Sequence, residues 1–255
     1  AGLFAAGLNL ANLSLQLPML LTGALIPFLV LKSKSDGHEG FARSYSVAVR
    51  YFAMLVLPAC LGAAAITPTL LPLIFGSAFA DSVVPAMILI AGCSSMAFIT
   101  IVQHYAFAAE KTKVVLRLAA LGALLSILSG LTLTQAYGTL GAAIGRVAAQ
   151  AVVAVGALAY AGSVGWQTPY RIIARILAAS LVCAAIAGGI AHTIPNVTGV
   201  AAAILAAILA YAVLIKYLRI IPDEEYRLID TLASAPGLPS FLRSSFAYTA
   251  AWLRT

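Results

Sequence analysis

Residues 70–87 read LLPLIFGSAFADSVVPAM, and the fold turns on what this stretch joins. It carries a Phe-Gly-Ser turn at 75–77, a single acid at Asp81, and no Lys or Arg, although the chain has a formal net charge of +7. Long apolar runs flank it on both sides. The chain of 255 residues is 62% hydrophobic and only 9% charged, with a mean hydropathy of +1.02. Soluble domains carry about a quarter of their residues as charges, so this balance belongs to a protein solvated by lipid.

A helix crossing about 30 Å of hydrocarbon needs roughly 20 apolar residues. Runs of that length fall near 5–31, 44–66, 83–106, 114–136, 139–164, 172–194 and 198–219. None alternates with the two-residue period of a barrel strand, so the expectation is an all-α, polytopic membrane bundle of about seven transmembrane helices. Gly/Pro pairs mark several connections: Pro72 with Gly76, Gly138 with Gly141, Pro195 with Gly199. The first run lacks the basic n-region of a signal peptide and is too long for an h-region.

The basic residues sort by connection. Lys32, Lys34, Arg43 and Arg50 follow the first run, Lys111, Lys113 and Arg117 the third, and Arg171 and Arg175 the fifth. Lys216, Arg219, Arg227, Arg243 and Arg254 follow the seventh, whereas 67–82, 137–138 and 195–197 hold none. The positive-inside rule makes the cationic side cytoplasmic, the C-terminus included, and stretch 70–87 an extracytoplasmic turn. The excess charge then reports orientation and contact with membrane lipids rather than nucleic-acid binding. Residues 1–219 are the expected membrane bundle and 220–255 a cytoplasmic tail, in which Leu242, Phe246 and Leu253 form an apolar stripe suited to the membrane surface. An odd number of crossings with a cytoplasmic C-terminus starts residue 1 on the outer side, which predicts a fragment: the C-terminal part of a longer protein.

Several segments resemble the polysaccharide and lipid-linked oligosaccharide flippases. These belong to the multidrug/oligosaccharidyl-lipid/polysaccharide exporter superfamily, which also holds the multidrug and toxin extruders. AGLFAAGLNLANLSLQLPMLLTGALIPFLV at 1–30 is similar to that family's eighth helix through Gly2, Phe4, Ala5 and Pro27. LLPLIFGSAFADS at 70–82 resembles the segment after its ninth helix, and AYGTLGAAIGRV at 136–147 the turn between its eleventh and twelfth. The resemblance implies the C-terminal bundle of a two-bundle transporter of the bacterial inner membrane, with the N-terminal half of the same chain as a partner. It implies a polyprenyl-diphosphate-linked glycan as cargo, flipped by alternating access, with polysaccharide polymerases as candidate partners. No cofactor and no enzymatic activity are expected. A multidrug/cation antiporter of the same superfamily is the alternative, and an integral-membrane enzyme of envelope polysaccharide synthesis a second.

Single residues sharpen this. Asn9, Asn12 and Gln16 share one helical stripe, and amides in hydrocarbon are costly unless they face water or bond between helices. Both readings stand, a hydrated substrate cavity or interhelical pairing. Arg146 lies within the fifth run, roughly 10 Å deep, with Gln150 one turn further along the same face. Its guanidinium suits the phosphates of a lipid-linked substrate, or else snorkels to headgroups. Arg43 and Arg50, seven apart, either collect a diphosphate at the cytoplasmic mouth or anchor the helix. Cys60, Cys93 and Cys183 lack ligand spacing and read as packing residues, with no metal expected. Gln103 and His104 read as interfacial, and His38 and His192 as residues of exposed connections. The sequons Asn12-Leu-Ser14 and Asn196-Val-Thr198 fall where glycosylation is implausible.

Overall fold

The computed structural model describes residues 37–218, apart from the side chain of His38, together with the helical positions Asn9, Asn12 and Gln16. The expectations for the rest of 1–36 and for the tail, Pro27 and the 220–255 segment included, lie outside the described residues. The described chain is all helical. Its helices are α1 (Gly37–Phe75), α2 (Val83–Gly92), α3 (Met96–Ala108), α4 (Thr112–Ser163), α5 (Tyr170–Thr193) and α6 (Val197–Tyr217), with 3-10 segments at Ser77–Ser82 and Cys93–Ser95. It is a multi-pass membrane bundle: five helical stretches are long and apolar enough to cross a bilayer, α2 and α3 counting as one.

One of those stretches crosses twice. A straight α4 of 52 residues would run about 78 Å, more than two bilayer cores. Instead Gly138 adopts φ 58°, ψ −133°, and the chain folds back there. The pairing across the fold is regular. A Cβ at Gly141 would meet the Leu133 carbonyl, one at Gly145 would lie 2.9 Å from Ser129 Cβ, and one at Gly122 would lie 3.2 Å from a Val153 methyl. Small residues thus let the two arms, 112–137 and 139–163, approach as an antiparallel hairpin.

The stretch at 70–87 differs from a simple loop. Helix α1 runs through Pro68 and Pro72 to Phe75, and only Gly76, at φ 89°, separates it from the 3-10 turn. Each proline costs one backbone bond, and in a membrane bundle a helix can continue through it. Pro58 in the same helix shows how: it has no N–H for the Met54 carbonyl, and the Tyr211 hydroxyl of α6 donates to that oxygen at 2.7 Å. The exposed Leu73, Ile74 and Phe75 extend past the last turn of α5, which Thr69 joins by donating to the Ala191 carbonyl at 3.0 Å.

Helices α1 and α5 run side by side in the same direction. Gly188 abuts Ala65, and Ile176 is buried with Ala53 and Leu57. Helix α6 returns against both. All described cationic residues except Arg146 therefore gather at one end, with the starts of α1, α4 and α5 and the end of α6; the other end holds Gly76, Gly138 and Pro195. At the cationic end Arg175 donates to the Leu218 carbonyl at 3.3 Å, closing an open helix terminus. At the other end Asn196 caps α6, its side-chain oxygen accepting from the Gly199 amide and the Thr198 hydroxyl, each at 2.7 Å. The residues of that sequon are structural.

Candidate functional site

The second arm of α4 carries the site. Its small residues Gly141 and Gly145 turn toward the first arm, and Ala143, Ala149, Ala154 and Ala157 are buried in the bundle. Ile144, Val152 and Val155 are exposed at 42%, 49% and 68% and form an exposed apolar stripe along it. At 100° per residue, Arg146 points about 170° away from the centre of that stripe and Gln150 about 150° away. Arg146 is nevertheless exposed, and Gln150 half-buried. The guanidinium thus stands in the open on the face opposite that apolar stripe, eight residues beyond the Gly138 turn, or about 12 Å in.

Helices α2 and α3 border this face. The Arg146 guanidinium lies within electrostatic reach of the Cys93 thiol, and Gln150 Nε2 approaches Met96 Sδ at 3.6 Å. Gly92 packs directly on Val147, so closely that a Cβ there would overlap both Val147 methyls. Arg146 makes no hydrogen bond or ion pair among the described residues. A cation at this depth is costly unless water or an anionic group reaches it.

The other sequence-predicted residues do not assemble with Arg146 into one described cluster. Asn9, Asn12 and Gln16 are helical and exposed. Arg43 is exposed, while Arg50 is only 6% exposed and stacks over the Tyr51 ring at 5.5 Å. Seven-residue spacing put both on one helix, but the two differ in burial and do not present a joint exposed pair. His104 bonds the Thr100 carbonyl through Nδ1 at 2.7 Å and is exposed, as is His192. The cysteines are free thiols, Cys60 and Cys183 buried and Cys93 half-buried. No group of three metal-ligating side chains occurs among the described residues.

Sequence reading missed the lock at the cationic end. Phe41, Tyr45, Tyr105, Tyr160 and Trp166 form one aromatic cluster with ring centroids 5.1–6.0 Å apart. The Ser44 and Tyr105 hydroxyls share a buried hydrogen bond of 2.7 Å, and Tyr45 reaches Thr168 at 3.3 Å. The signal was the concentration of aromatic residues at three successive cationic-side connections.

No family model matches the chain, and no curated protein matches it. Among solved structures, one does. The chain is similar in fold to "Lipid II flippase MurJ, inward closed conformation", with a TM-score of 0.65 at 16% identity. The match covers 83% of this chain and 47% of that one, so the chain spans about half the length of the flippase. The likeness establishes the fold: a polytopic bundle of the kind that transporter is built from.

Proposed function

We propose that this chain takes part in flipping a lipid-linked oligosaccharide or polysaccharide precursor across the bacterial inner membrane by alternating access, as a transporter and not an enzyme. The cationic end is the cytoplasmic one in this reading. The observation that carries it is Arg146, an exposed guanidinium about 12 Å inside the bundle, on the face of its helix opposite the apolar stripe. A guanidinium fork matches phosphate oxygens bidentately, and the diphosphate of a polyprenyl-linked glycan is the anion a membrane protein meets at that depth. The fold shared with a lipid II flippase supports the same class of cargo. Gln150, one turn along, offers an amide for sugar or phosphate oxygens. Asn9, Asn12 and Gln16 would line the same hydrated cavity, and Arg43 and Arg50 would serve its inner mouth. A multidrug antiporter would want an acid in its cavity for a cationic drug. The described acids Glu39, Asp81 and Glu110 all lie at helix ends instead.

The test is glycan export in cells at matched protein level. Arg146→Ala and Arg146→Gln are expected to abolish it, and Arg146→Lys to restore part, since an ammonium keeps the charge but loses the fork. Near-normal export from the Ala variant would overturn the phosphate reading and leave Arg146 as an anchor.

A further inference from the structure

Helices α5 and α6 meet at the cationic end of the bundle. Ile172 and Ile176 of α5 pack there with Ile215 and Leu218 at the end of α6, beside Ala53 and Leu57 of α1. Arg175 crosses the seam, donating from Nη1 to the Leu218 carbonyl at 3.3 Å. One turn earlier on α5 stands Arg171, exposed and without a hydrogen bond or ion pair among the described residues. Lys216 adds a third cation from the last turn of α6. The described acids lie elsewhere: Glu39 at the start of α1, Glu110 between α3 and α4, and Asp81 at the opposite end. Three cations thus share one seam, and neither helix carries a carboxylate.

Each helix runs away from this corner with an exposed apolar track in line with its cation. On α6, Leu205 and Leu209 precede Lys216 by 11 and 7 residues, which at 100° per residue puts all three within about 40°. Both leucines are open, at 62% and 68%, while Gly199, Val200 and Ala203 face inward. On α5, Val182 follows Arg171 by 11 residues, about 20° round the helix, and is exposed as well. Tyr170 and Tyr217 stand open at the same level as the cations, where an amphipathic ring suits the headgroup layer. A soluble anion would answer the cations and leave the apolar tracks unused. A phospholipid answers both, with phosphate at the corner and acyl chains along the helices.

We propose that the seam between α5 and α6 at the cationic end is a binding site for an anionic phospholipid. Its phosphate is held by Arg171, Arg175 and Lys216, and its acyl chains lie along Leu205, Leu209 and Val182. Basic groups gathered from neighbouring helices at a membrane surface form headgroup pockets of this kind, and a guanidinium fork fits phosphate oxygens. The Leu218 carbonyl already holds Arg175 across the seam, so that cation is in position before the lipid arrives. The site lies on α5 and α6 rather than α4 and is independent of what Arg146 binds.

The experiment reads local lipid composition in the reconstituted protein, with Cys60, Cys93 and Cys183 replaced by Ala. Bimane is attached at Val213→Cys, three residues from Lys216, or at Leu116→Cys, three residues from Lys113 on α4, both sites being exposed. The vesicles are phosphatidylcholine with a minor fraction of phosphatidylglycerol, and either lipid is brominated on its acyl chains to quench the reporter. A cation near the membrane surface raises local anionic lipid roughly fivefold. The Val213 reporter is expected to prefer phosphatidylglycerol about fivefold more than the Leu116 reporter does. Arg171→Gln/Lys216→Gln should remove that excess. Arg171→Gln alone should remove part of it, and decides the matter if the double variant does not reconstitute. Equal preference at the two reporters would show general attraction to the cationic end and overturn the site. So would an excess that survives the charge removal. A rise at Val213 on Asp223→Asn/Glu224→Gln/Glu225→Gln would assign the seam to the chain's own acids, and would overturn it too.

Discussion

The two ends of the bundle are held by different means. At the cationic end, side chains from α1, α3, α4 and the 164–169 connection interlock as five aromatic rings, with a buried Ser44–Tyr105 hydrogen bond among them. At the opposite end the connections are short and rest on backbone devices: the positive-φ glycines Gly76 and Gly138 and the Asn196 cap. A turn fixed by local geometry keeps its two helices together whatever the rest does. An end fixed by packing can open as a unit once the packing is released. Opening is therefore expected at the cationic end, with the other end as the pivot.

The largest effect should come from breaking the aromatic lock. Trp166 is 4% exposed and touches four of the rings, so Trp166→Ala is expected to cost about 3–5 kcal/mol in unfolding free energy. A reversible unfolding series in mixed micelles measures it, and a loss under 1 kcal/mol would show that the lock does not hold that end. At the opposite end Asn196→Ala removes one cap and should cost about 1 kcal/mol, in the range for such caps. The same series reads it. A loss comparable to that of Trp166→Ala would erase the distinction between the ends.

The fold class was legible because lipid solvation leaves so plain a mark: long apolar runs, few charges and cations confined to alternate connections. The back-fold of α4 at Gly138 falls where the sequence pairs that residue with Gly141, and Gly141 and Gly145 face the first arm. Less could be read about α1 beyond residue 66, because Pro68 and Pro72 read as turn residues whereas the helix runs through both. The 3-10 break was invisible for a related reason. Gly-Cys-Ser-Ser in an apolar run is good membrane helix by composition, so nothing in the residues marks the Cys93–Ser95 segment. Arg146 stood out as a charge in a run. Its direction relative to Ile144, Val152 and Val155 became informative once their exposure was known. Arg50 shows the opposite case, where helical spacing matched it to Arg43 and burial separated them.

The central claim is that the Arg146 face of α4 meets water while the Ile144 face meets lipid. Single cysteines at 146, 150, 144, 152 and 155, in a background without the native three, test it with a membrane-impermeant, charged thiol reagent applied to reconstituted protein. Cysteines at 146 and 150 should react, and those at 144, 152 and 155 should stay silent. Silence at both 146 and 150, with labelling retained at a control cysteine replacing Ser77 in the exposed turn, would contradict the account.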